Sequence, residues 1–115
     1  MTQLQAWGYC MSFKIPKRFK LMGRTIDVEF VPNLDDTSGV IGRTYFRKNK
    51  LALQSSVKGF ELEQDCLNET FLHELVHWIF FMISENKDLG SNEKLIDLIA
   101  GLLYQALTTM EYLED

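Results

Sequence analysis

FLHELVHWIFFMI, residues 71–83, is almost wholly apolar, yet it carries both histidines of the chain, with Glu74 between them. The apolar density reads as a helix built for the core. Within such a helix, positions i and i+4 lie on one face a turn apart, so His73 and His77 can aim their rings at a single point. Glu74 sits one step around the helix. It cannot occupy that point but can reach a water molecule beside it. HELVH is thus an HExxH motif, the pattern of two zinc ligands and the general base of a metal-dependent hydrolase. A purely structural pair would leave two buried imidazoles needing hydrogen-bond partners and a carboxylate charge in an apolar helix. One zinc ion answers all three demands.

Around this helix the chain divides into two halves. Residues 1–60 hold ten of the twelve Lys and Arg and four of the sixteen Asp and Glu, which leaves two basic and twelve acidic residues in 61–115. The division reads as a basic surface beside an acidic one. No aromatic-interleaved basic motif accompanies it, so no nucleic-acid partner is expected. At 115 residues and 46% hydrophobic content the chain is expected to form one domain, 1–115, with a real core. Residues 1–11 lack clear periodicity and read as a loose segment, with Met11 an alternative start. Cys10 and Cys66 make no CxxC pair and read as reduced thiols of a cytoplasmic protein. The N-terminus has no apolar signal-type region, and the longest apolar run, Trp78–Ile83, is far too short to span a membrane.

The first half reads as strands. KRFKLMGRTIDVEFV (17–31) is a hairpin turning at Met22-Gly23-Arg24, with Ile26, Val28 and Phe30 alternating against Asp27 and Glu29. VPNLDDTSG (31–39) is a loop. VIGRTYF (40–46) and KLALQ (50–54) are two further strands turning at Arg47–Asn49. The second half reads as helices, one from about Glu61 to Ser84 and one capped by Ser91 or Asn92 and running to about Tyr112. Leu95, Leu98, Ile99, Leu102, Leu103 and Ala106 make the apolar side of the second helix, while Glu93, Asp97, Ala100, Gly101 and Tyr104 fall on a different stripe. The small Ala100-Gly101 pair is expected to admit a close neighbour. The fold class is α+β: a small antiparallel sheet, then two helices packed on it.

A catalytic zinc site uses three protein ligands and leaves one position for water, whose pKa falls to about 7 when bound. The third ligand cannot be histidine. Cys66, two turns before His73, lies about 10 Å along the helix and is too far to share the ion. The remaining candidates are the carboxylates Glu85, Asp88, Glu93 and Asp97, the first two in a polar loop.

HELVH (73–77) followed by NEKLID (92–97) resembles the HExxH…NExxxD pattern of the gluzincins, the thermolysin-like branch of the zincin metallopeptidases. The resemblance covers residues 40–104 by layout and rests on the two motifs by identity. It implies Glu93 as third ligand and Asp97 as the hydrogen-bond partner of a ligating histidine, His73. It also implies a zinc metalloendopeptidase acting on a peptide or protein substrate, with Glu74 as general base. In size the chain resembles the single-domain minigluzincins, and it has the look of small phage and prophage proteins. It departs from the pattern in a shorter spacer, and in having no counterpart of the C-terminal domain that forms the far wall of the thermolysin-like cleft or of that domain's transition-state histidine. The seven residues 85–91 can return the chain far enough for Glu93 to reach the metal, since they cover up to about 23 Å. Strictly antiparallel helices would bring Asp97 level with the histidines first, so Asp97 is the runner-up ligand.

Four other expectations concern the surroundings. YFRKNKLALQ (45–54) is a candidate edge strand for an extended substrate, because backbone pairs with backbone. Tyr104, Tyr45, Arg43 and Arg47 are candidate oxyanion donors. Trp78 is read as core. Cys10 is a candidate zinc-capping thiolate that would hold the enzyme latent. The alternative function is a catalytically silent zincin-fold module that binds a protein partner around a structural or vestigial zinc. An intact Glu74 argues against it, because a structural site has no use for a base.

Overall fold

The computed structural model describes residues 13–34, 42–57, 60–83 and 91–113. The expectations for the 1–11 segment, Cys10, Glu85 and Asp88 lie outside these residues. Five strands come first: β1 (Arg18–Leu21), β2 (Arg24–Pro32), β3 (Gly42–Tyr45), β4 (Lys50–Val57) and β5 (Phe60–Glu61), with a 3-10 turn at Phe46–Lys48 between β3 and β4. Two helices follow, α1 (Gln64–Ile83) and α2 (Glu93–Thr108). The order of elements is that of a small α+β fold.

Each turn follows from local chemistry. Met22 and Gly23 both take positive φ, +48° and +84°, and close the β1–β2 hairpin with a two-residue turn whose twist matches the strands. Asn49 takes the left-handed conformation that ends the 3-10 turn and starts β4. Its side chain accepts a 2.7 Å hydrogen bond from Nε of Arg24, which ties this turn to the start of β2.

The sheet runs β1-β2-β4-β3, with β5 pairing the end of β4. The pairs β1–β2, β3–β4 and β4–β5 are antiparallel, as the sequence suggested for the whole sheet, but β2–β4 is parallel. The sheet is therefore mixed. The reason is topological: β3 and β4 form one hairpin, and its second strand, not its first, lies beside β2. Residues 33–49 are long enough for that crossover. β4 becomes the central strand, and Leu51, Ala52, Leu53 and Gln54 are all buried. β1 and β3 are the outer strands of this order, and β3 is the one beside α1. Of the stretch 45–54, only Tyr45 lies on that edge.

α1 sits between the sheet and α2. Leu67, Phe71, Leu72 and Trp78 join Ile26, Leu51 and Leu53 of the sheet in one core, to which α2 adds Ala100. Cover on both sides explains the near-continuous apolar sequence of α1. Trp78 is fully buried, and its ring lies 5.2 Å beneath the guanidinium of Arg24.

α2 departs from its sequence reading in two respects. It is rotated so that Ile96 and Ala100 are buried, while Leu98 and Leu102 remain 60% and 59% exposed. Of the expected apolar side, Leu98 and Leu102 thus face away from α1, Leu95 and Ile99 are half-buried and Leu103 packs on the core, while Gly101 has no neighbour within 4 Å of where a Cβ would stand. The helix also ends at Thr108, before Tyr112. There the hydroxyls of Thr108 and Thr109 turn back onto the backbone and donate 2.7 Å hydrogen bonds to the carbonyls of Tyr104 and Gln105. Such bonds compete with the helical ladder.

Candidate metal centre

The start of α2 is fixed by Asn92, whose side-chain oxygen accepts the N–H of Leu95 at 3.1 Å. This cap puts Glu93 in the first turn and Asp97 one turn later, both toward α1. On α1, His73 and His77 present their rings side by side, with centroids 5.0 Å apart.

The three side chains, from two helices, meet at one point. Nε2 of His73 lies 3.0 Å from one carboxylate oxygen of Glu93, and Nε2 of His77 lies 3.0 Å from the other. Donor atoms of His73, His77 and Glu93 all fall within 4.8 Å of one another, so the group can hold a metal ion. Asp97 stands behind it and accepts a 2.6 Å hydrogen bond from Nδ1 of His73. That bond keeps the Nδ1 proton in place and leaves Nε2 as the donor atom of the ring. Glu93 and Asp97 thereby occupy different places: Glu93 touches both Nε2 atoms, and Asp97 touches the far side of one ring.

Glu74 faces the same cleft. Only 7% of its surface is exposed. Burial pushes its carboxyl up from 4.5 to about 7; His73 pulls it down, Glu93 adds to the rise, and Arg43 opposes it. The cleft has a volume of about 660 Å³, with α1, β3 and α2 each lending residues to its wall.

The remaining sequence candidates separate. Arg43, on β3, lines the cleft, whereas Tyr45, Arg47 and Tyr104 do not. Tyr45 lies under the ammonium of Lys48, 5.9 Å from its ring centre, and Arg47 is exposed on the 3-10 turn. The Tyr104 hydroxyl is used elsewhere: it donates to Asp65 at 2.7 Å and accepts from Asn68 at 3.3 Å, joining α2 to the first turns of α1. Desolvation and the Asp65 carboxylate raise its pKa, against the opposing bond from Asn68. Tyr104 is therefore a clamp between helices and not an oxyanion donor.

Gly42, Thr44, Glu69 and Thr70 line the cleft unforeseen, and Cys66, set aside as a ligand on distance, joins them. Cys66, Glu69 and Thr70 continue the line of His73 and His77 toward the start of α1, and Thr44 faces them from β3. Counting back three, four and seven positions from His73 finds the first three, because the cleft follows one face of the helix. Cys66 shares the cleft without belonging to the ligand group.

No helix among the described residues is long and apolar enough to cross a membrane. Comparison of the chain with known protein families, with curated proteins and with solved structures gives no match. The reading of the site rests on its own geometry and donor chemistry.

Proposed function

We propose that the chain is a zinc-dependent metallopeptidase of the gluzincin type. His73, His77 and Glu93 are its metal ligands, Glu74 its general base, and a peptide or protein its substrate. One observation carries the reading: two imidazole nitrogens and a carboxylate converge on a point in a cleft, with Asp97 fixing one imidazole from behind and a buried carboxylate alongside. Two nitrogens and one oxygen are a donor set that suits zinc. Bound there, zinc would supply a Lewis acid that makes water nucleophilic at neutral pH and polarises the scissile carbonyl.

The other roles belong to the chain. Glu74 takes the proton from the attacking water and delivers it to the departing amine. Burial by itself lifts its basicity toward neutrality, and bound zinc would favour its ionised form, the one that accepts a proton. Asp97 holds the His73 ring in orientation. β3, at the edge of the sheet and on the rim of the cleft, is placed to pair with an extended peptide backbone to backbone. A binding module with a structural metal would have no need of a carboxylate desolvated this far beside the ligands.

Elemental analysis and an unbiased peptide library test the proposal together. The expected result is one zinc per chain and cleavage that falls by about 10²–10⁴-fold in Glu74→Gln. The zinc should be retained in that variant. A zinc-loaded, folded wild type that cuts nothing, and that Glu74→Gln matches in every assay, would hand the site to the binding-module reading.

A further inference from the structure

The contact between β3 and α1 leaves no room for a side chain at Gly42. A Cβ built there would lie 2.6 Å from the Thr70 methyl carbon, 3.0 Å from Cγ of Glu74 and 3.2 Å from its Oε2. Carbon atoms in contact sit about 3.5–4.0 Å apart. The strand backbone is therefore laid directly against the side chain of Glu74. Glycine's freedom of φ is not what this position uses. What it uses is the missing Cβ.

We infer that Gly42 is a positioning residue for Glu74: the bare backbone of β3 is the wall that fixes where the carboxylate points. The inference rests on the proposed role of Glu74 as the base. Three features support it. Glu74 is nearly buried, so it cannot swing away into solvent. The wall belongs to the strand that also borders the cleft, so the base and the substrate-facing edge share one rigid contact. And a Cβ at Gly42 would stand 3.2 Å from Oε2, tighter than an ordinary contact, so the Glu74 side chain pressed against it would have to give by a few tenths of an ångström. A general base has to lie within hydrogen-bond reach of the proton it takes, and functional groups lose effect when displaced by about 0.5 Å.

The test uses Gly42→Ala and the double variant Gly42→Ala/Thr70→Ser. The serine keeps the Thr70 hydroxyl, which bonds the Cys66 carbonyl, and removes the methyl that the new Cβ would strike. The contact with Glu74 remains. Zinc content, thermal unfolding, kcat and KM are measured for each protein. The Glu74 side-chain carboxyl is followed by carbon NMR of the zinc-loaded proteins, its resonance assigned from its loss in Glu74→Gln. The expected result for Gly42→Ala is unchanged zinc stoichiometry, a shifted Glu74 resonance, and a kcat lower by about tenfold with KM within about threefold. The double variant should regain thermal stability but not kcat, and its Glu74 resonance should stay shifted. Recovery of kcat together with stability would reduce Gly42 to packing and overturn the inference. So would an unmoved Glu74 resonance in both variants. Should wild type cut no peptide, the metallopeptidase reading falls, and the resonance alone still decides whether Gly42 positions the carboxylate. If Gly42→Ala does not fold, the double variant supplies the same comparison against Thr70→Ser.

Discussion

Asp97 accepts the Nδ1 proton of His73 at 2.6 Å, while Nε2 of the same ring faces Glu93 at 3.0 Å. One imidazole is therefore held between two carboxylates with different duties, one fixing its tautomer and one standing beside it at the point that can hold a metal ion. Both carboxylates come from the start of α2, one turn apart, so the seating of that end against α1 governs the whole group. Asp97→Asn should keep the shape and lose the charge and the acceptor strength. Zinc affinity should fall by about 10–100-fold, as for partners of metal-bound histidines in general. Competition titration with a chromophoric chelator measures this. Loss of zinc as complete as in His77→Ala, with Glu93→Gln nearly harmless, would exchange the roles of Glu93 and Asp97.

Tyr104 gives a contrasting expectation. Its hydroxyl joins α2 to Asp65 and Asn68 of α1 and does not line the cleft. Tyr104→Phe should cost about 1–2 kcal/mol of stability, since it leaves Asn68, itself buried, short of a partner. Zinc affinity and peptide cleavage should change by less than about twofold. A large fall in kcat with zinc retained and stability intact would show that the hydroxyl reaches the substrate after all.

The sequence made the site more legible than the packing around it. HELVH specifies its geometry through a single helical turn, and the following NEKLID places two carboxylates one turn apart, so few residues had to be related in space. The rotation of α2 was not legible, because its leucines outline an apolar stripe that a pattern cannot distinguish from the buried one. Leu98 and Leu102 are exposed, and the stripe that packs on α1 carries Glu93, Ile96, Asp97 and Ala100. The requirement that Glu93 and Asp97 reach the histidines overrides the leucine pattern. The parallel β2–β4 pair was hidden for a similar reason: alternation shows that a segment is a strand, but not which strand lies beside it.

That rotation makes a prediction in the opposite sense to the leucine pattern. Ile96 is fully buried between the two carboxylate positions, and Leu98 is largely exposed. Ile96→Ala should cost about 2–4 kcal/mol and also weaken zinc, because it loosens the turn that carries Glu93 and Asp97. Leu98→Ala should stay within about 0.5 kcal/mol and leave zinc affinity alone. Chemical denaturation of both variants, with and without zinc, separates these outcomes. Equal losses would return α2 to the orientation drawn from its leucines.

The last expectation concerns Glu74 and pH in the metal-free protein. Its carboxyl titrates near 4.5 in an unfolded chain and at about 7 in the fold, chiefly because burial disfavours the charge. Below about pH 4.5 the group is neutral in both states and costs nothing. Between 4.5 and 7 the unfolded chain loses its proton first, so folding becomes steadily less favourable as pH rises. Above about 7 the full penalty is present, on the order of 3 kcal/mol for a shift of this size. Glu74→Gln has no such proton. In chelator-treated samples the variant should match wild type near pH 4.5 and become progressively more stable than it toward pH 7.5. Taking the difference between the two proteins cancels the other titrating groups. With zinc bound the difference should shrink, because a nearby dication favours the carboxylate and opposes the desolvation. Denaturation curves for both proteins at half-unit steps of pH measure the slope. A stability difference that stays flat across this range would mean that Glu74 is not desolvated in the fold, and the case for it as a base tuned by burial would fall with it.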